Sequence, residues 1–180
     1  MRAPAPPPAA ARAGRAPADG DGHADDGRAA LRTWLRLLAC TGLVERELRG
    51  RLRDQFGTTL PRFDVLAQLD AAARESVAGL TMSELAQRLM VTNGNLTGLV
   101  ERLVDERLVR RTSAPHDRRT QVVSLTAAGQ RALDAMTPRH LAWIDGMFAG
   151  LAPADLAALH ALLGQLRTSV RDALAARETT

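Results

Sequence analysis

Apolar positions along this 180-residue chain recur mostly at helical spacing. Between about residues 28 and 54, Leu31, Trp34, Leu35 and Leu38 form one stripe, and Leu37, Thr41, Val44, Leu48 and Leu52 form a second. Stripes that wide predict a helix burying one face inward and another against a partner. Phe56-Gly57 ends it, and Pro61, near a first helical position, opens a second helix with Phe63, Leu66 and Leu69 on its core face. Thr81 and Glu84 are spaced as a capping box ahead of a short helix carrying Leu85, Ala86 and Leu89. Met90-Val91-Thr92 makes the next turn, with Thr92 expected to cap the helix after it. Leu96, Leu99, Val100, Leu103 and Val104 then repeat as one buried stripe. Leu108-Val109 starts a strand, and residues 121–125 form its mate. Thr126 caps a long helix to about Phe148, which Pro138 is expected to bend or break. Pro153 opens a last helix with Leu156, Leu159, Leu163, Leu166, Val170 and Leu174 on one face.

Two short helices, a strand, an arginine-bearing loop and a second strand, in that order, predict a winged helix-turn-helix. The fold class expected is mainly α with a small β-hairpin wing, joined to a helical lobe for self-association. Hydrophobic residues make up 46% of the chain and aromatics only 3%, so the core should be aliphatic. Residues 1–27 are rich in Ala, Pro, Gly and Asp without an apolar period and read as a disordered tail. Residues 28–58 read as a dimerisation helix, 59–126 as the winged unit, 127–175 as further dimerisation helices and 176–180 as a C-terminal tail.

Net charge is +4, and all 24 basic residues are Arg, whose planar fork suits phosphate oxygens and base edges. Clustering matters more than the total. Arg110, Arg111, Arg118 and Arg119 fall within ten positions on the hairpin, where an arginine can enter a minor groove. Asp117 beside them is placed to orient an arginine. On the preceding helix, Gly94 and Gly98 lie one turn apart on the outward face, each costing about 1 kcal/mol against Ala. Bare positions let a helix backbone approach another surface closely. Asn and Thr near the helix start can bond base edges. Glu101 and Asp105 would be repelled by phosphate, so the helix is expected to enter a groove by its N-terminal half.

At this point the residues resemble a known family. Leu80-Thr81-Met82-Ser83-Glu84-Leu85-Ala86, Val91 to Thr97, Leu108-Val109-Arg110-Arg111, and Asp117-Arg118-Arg119 through Leu125-Thr126-Ala127-Ala128-Gly129 are similar to the MarR family of bacterial transcription regulators. Pro61 to Leu66 is similar to that family's second helix. The resemblance implies a two-fold homodimer on a pseudo-palindromic operator of double-stranded DNA, with half-sites about one helical turn apart. By motif position, Thr92, Asn93, Gly94, Asn95 and Thr97 would meet the major groove. Arg119 would enter the minor groove, with Arg110, Arg118 and Asp117 in support. Two departures stand out: Arg107 replaces the glycine usual at the end of the recognition helix, so that helix is expected to end differently, and Pro138 falls inside the dimer-side helix, whose geometry is expected to change there.

Many relatives answer to a small phenolic or aromatic effector held between the lobes. Trp34, Thr41, Phe63, His140 and Trp143 are the residues placed for such a cleft, with plain core packing the competing role. Cys40, the single cysteine, sits on the first helix, where some relatives sense peroxide. Those relatives use tyrosines, and this chain has none, so Cys40 is expected to be a small core residue. His23, His116, His140 and His160 are scattered, with no metal-binding pair, phosphate loop or nucleophile elbow. The sequence calls for no catalytic residue, metal or cofactor. No apolar run spans a membrane and no signal peptide is evident, so a cytoplasmic protein is expected. The leading reading is a ligand-responsive DNA-binding repressor. The alternatives are a winged-helix protein-interaction module and a cysteine-based redox regulator.

Overall fold

A computed structural model of the chain describes residues 20–114 and 117–178, with the side chains of 20–26, 114, 117–119 and 178 outside that description. The elements run α1 (Gly20–Phe56), α2 (Leu60–Arg74), α3 (Met82–Leu89), α4 (Asn93–Asp105), β1 (Val109–Ala114), β2 (Asp117–Leu125), α5 (Ala127–Phe148) and α6 (Pro153–Glu178). The mainly helical class with a hairpin wing is as expected from the pattern. The chain divides into two units at Gly42, with the described part of the first being the N-terminal stretch of α1. No single described helix is long and apolar enough to cross a membrane.

In that first stretch Leu31, Trp34, Leu35 and Leu38 are all exposed. Cys40 is exposed too, which corrects its expected place in a core. Helix α1 starts at Gly20 and takes in residues 20–27, which were expected to be disordered. Residues 1–19, the rest of that expected tail, lie outside the described residues.

In the second unit the core is aliphatic, as the scarcity of aromatics requires. Leu52, Val65, Leu66, Leu80, Leu85, Leu96, Val100, Leu103, Val109 and Val123 are fully buried. One α1 stripe, Val44, Leu48 and Leu52, packs into it. Gly57, with φ of +61°, lets the chain turn from α1 to α2. Strands β1 and β2 pair antiparallel, with Val109 opposite Leu125 and Arg111 opposite Val123. A third segment joins them: the Leu80 N–H donates to the Val123 carbonyl at 2.9 Å, and the Val123 N–H donates back at 2.7 Å. This bridge ties the start of α3 to the wing. Gly79 permits it, since a Cβ there would stand 2.8 Å from the Val123 carbonyl oxygen.

Helix α5 runs on through Pro138, so of the bend or break expected there the break does not occur. Helix α6 extends to Glu178, past the expected boundary at 175, so residues 176–178 of the expected tail are helical, while 179–180 lie outside the described residues. Its residues are exposed along nearly its whole described length.

Candidate nucleic-acid interface

The unit that would meet DNA begins at α3, whose start is sealed by a capping box. The Glu84 N–H donates to Thr81 Oγ1 at 3.2 Å, and the Thr81 N–H donates to the Glu84 carboxylate at 2.7 Å. The Thr81 N–H and the Thr81 hydroxyl, which donates to the same carboxylate at 2.8 Å, hold the Glu84 carboxyl below its ordinary value. An ion pair of 2.8 Å from Arg88 to Glu75 ties α3 to the end of α2. Met90, left-handed at φ of 54°, closes α3 and stands 90% exposed at the turn.

Helix α4 buries Leu96, Val100 and Leu103 against the core and half-buries Leu99. The opposite face carries Gly94 and Gly98, and a Cβ built at either would meet nothing within 4 Å. Around them Thr92, Asn93, Asn95 and Thr97 are exposed, as are Glu101 and Asp105 toward the far end. The Thr97 hydroxyl donates to the Asn93 carbonyl at 2.9 Å, which leaves its oxygen lone pairs outward. Thr92 precedes the helix in extended conformation, but its side chain makes no cap bond, so its expected capping role is not found. Its hydroxyl is available to an outside partner. Arg102 folds back, Nε donating to the Gly98 carbonyl at 3.1 Å.

Helix α4 ends as if Arg107 were glycine. Arg107 is left-handed at φ of 59°, its N–H donates to Val104, and the Leu108 N–H reaches the Leu103 carbonyl at 2.9 Å. That is a Schellman closure. The expected different ending does not occur; the neighbours hold the residue in the strained form. The Thr126 hydroxyl donates to the Arg107 carbonyl at 2.6 Å, and its oxygen accepts the Gly129 N–H at 3.0 Å. On the other side Arg62 of α2 forms a forked ion pair with Glu106, Nη1 to Oε1 at 2.7 Å and Nη2 to Oε2. The pairing holds the Glu106 carboxyl below and the Arg62 guanidinium above their ordinary values. These two residues are 44 positions apart, and neither periodicity nor motif spacing singled them out.

In the wing, Arg110 and Arg111 are exposed on β1, and Arg110 Nε donates to Ser124 Oγ at 3.2 Å. Asp117, Arg118 and Arg119 were expected in the loop; their backbone belongs to β2, with Asp117 opposite Ala114. Their side chains lie outside the described residues, as does His116.

Of the expected effector residues, Phe63 and His140 are brought together, rings stacked 4.2 Å apart. His140 Nε2 is buried without a partner among the described residues, and burial lowers the ring's affinity for a proton. Trp143 is buried beside them, with Arg51 over its face at 5.7 Å and Phe56 at 6.2 Å. Trp34 and Thr41 belong to the N-terminal unit, where both are exposed and the Thr41 hydroxyl donates to the Leu37 carbonyl.

Residues 56–120 match the sequence model of the MarR family. An uncharacterised HTH-type transcriptional regulator of Bacillus cereus is 32% identical over 115 residues, covering 64% of this chain and 72% of its own. Among solved structures, AbsC, a MarR family transcriptional regulator from Streptomyces coelicolor, is similar with a TM-score of 0.69 and 27% identity, covering 79% of this chain and 94% of AbsC. Sco3205, a MarR family regulator from the same organism solved in complex with DNA, gives a TM-score of 0.68 and 26% identity over 77% of this chain and 86% of its own.

Proposed function

The chain belongs to the MarR family of HTH-type transcriptional regulators, and from that premise we propose that it is a homodimeric, sequence-specific reader of double-stranded DNA, a repressor released by a small aromatic effector. One observation carries the reading: α4 turns a face with no side chain at Gly94 and Gly98 to the outside, with Thr92, Asn93, Asn95 and Thr97 around its N-terminal half. Such a face fits a major groove, where close backbone approach and short polar side chains read base edges. The DNA complex of Sco3205 supports the same use here. Arg110, Arg118 and Arg119 then serve the adjacent minor groove, with Asp117 orienting them.

Self-association is supported by α6. Leu156, Leu159, Leu163, Leu166, Val170 and Leu174 recur along it and are each 36–55% exposed. A helix draws most of its stability from burying such a stripe. A second copy of the chain is the partner proposed, and its two-fold symmetry calls for a pseudo-palindromic operator. The exposed apolar residues of the N-terminal stretch of α1 support the same assignment for residues 28–58. The effector reading is supported by the Phe63–His140 stack with its unpartnered nitrogen, a pairing suited to an aromatic ring bearing a polar group.

The test is selection of bound sites from a random duplex pool. A palindromic consensus is expected, with affinity falling steeply as salt rises, as ~6–10 phosphate contacts require. A reporter under the selected operator gives the sign of regulation. If the chain binds no duplex at low salt, the bare face of α4 is better read as a seat for a partner protein's helix.

A further inference from the structure

Arg62 and Glu106 each stand at the unfavourable end of their own helix. Arg62 lies in the first turn of α2, where the helix dipole favours a carboxylate, and that turn holds no acidic residue. Glu106 closes α4, where the dipole favours a cation. Neither placement is explained within its helix; the pair between them explains both. Its forked geometry fixes orientation as well as distance. Arg62 is the more enclosed partner, and its Nε is buried with no acceptor among the described residues. The residue that caps α4 is thereby held from α2. The next residue, Arg107, is held from the start of α5 through Thr126.

We propose that Arg62 is a positioning residue for DNA reading: through Glu106 it sets the pitch of α4, and it touches no nucleic acid itself. This rests on α4 being the reading helix. Gly94 and Glu106 are about 18 Å apart along the axis, so a ~5° tilt at the clamp moves the reading end by about 1.5 Å. A binding constellation is held to about 0.5 Å when it works well.

The experiment compares the full-length wild-type chain with Arg62→Met, Glu106→Gln and the charge swap Arg62→Glu with Glu106→Arg. Operator affinity is measured across salt, well below each variant's melting temperature, together with hydrogen exchange at the Arg107 and Leu108 amides. Each single variant should bind about tenfold more weakly or worse, with the salt slope unchanged and exchange at both amides accelerated. The swap, which puts each charge at its favoured helix end, should restore both readouts. A salt slope lowered by about one in Arg62→Met, with Glu106→Gln binding like wild type, would make Arg62 a phosphate contact and overturn the proposal. So would unchanged affinity with only the melting temperature lowered. If the wild-type chain binds no duplex, the DNA-reading assignment of α4 fails and this proposal falls with it, while exchange alone still reports whether the pair holds the helix end.

Discussion

Gly129 lies so close to Leu108 that a Cβ on it would stand 1.9 Å from the Leu108 carbonyl oxygen. The same carbonyl accepts the Thr126 N–H at 3.1 Å. The start of α5 and the chain leaving α4 are therefore packed backbone to backbone, with no room for a methyl group. Gly129→Ala forces two backbones apart, which should destabilise the fold by ~3 kcal/mol. Urea unfolding should show this as a lowered midpoint with an unchanged slope. An Ala variant as stable as wild type would mean the junction is looser than it stands.

How much of this was legible beforehand divides by range. The α3 capping box was readable because its two residues are three apart and bond each other. The buried stripe of α4 was readable because Leu96, Val100 and Leu103 repeat with the helix. Local chemistry misled where tertiary structure decides. Thr92 has the right side chain and position to cap, yet makes no cap bond. Arg107 was expected to alter the helix end because a side chain there is strained, but the Thr126 hydroxyl holds its carbonyl and Arg62 holds the adjoining Glu106. The Leu80–Val123 bridge and the Arg62–Glu106 fork join distant segments, and one sequence carries no periodic trace of such pairs. The misplaced charges, Arg62 in the first turn of α2 and Glu106 at the end of α4, were the available hint.

The strain at Arg107 can be removed. A non-glycine residue in the left-handed region costs ~1–2 kcal/mol, and glycine gives back part of that through its freer unfolded chain. Arg107→Gly should therefore stabilise the protein by about 0.5–1 kcal/mol. That corresponds to a melting temperature higher by roughly 1–4 °C. Arg107 is exposed, and its backbone bonds survive the change. A lowered melting temperature would show that its side chain makes a contribution outweighing the strain.

Stability should also depend on pH through Asp64. Its carboxyl is pushed up to about 6, chiefly by burial, with Glu45 adding and Arg49 opposing. The folded chain thus holds that proton more tightly than the unfolded one, where the group titrates near ~3.9. Asp64 therefore favours folding less as pH rises from ~4 to ~6, and the loss is complete above that window. His140 has the opposite sign: burial lowers its proton affinity, so its contribution is present above ~6.5 and is lost as pH falls through its depressed native value. Asp64→Asn should raise stability at neutral pH and remove the decline between ~4 and ~6. Urea midpoints measured across that range for both proteins are the check, and parallel profiles would refute it.

Gly98 separates folding from function most cleanly. It lies inside α4 with open space where a methyl would go. Replacement by alanine should then raise helix stability by about 1 kcal/mol, the ordinary difference between the two residues in a helix interior. A residue kept at that disadvantage on an outward face needs a reason outside the monomer. If the reason is close approach to a groove wall, Gly98→Ala should melt higher and bind its operator more weakly, by about tenfold for a loss of ~1.4 kcal/mol. The salt slope should stay the same, because no phosphate partner is removed. A variant that gains stability and binds DNA as tightly as before would leave the bare face without a role in recognition, and α4 would have to reach the duplex along another side.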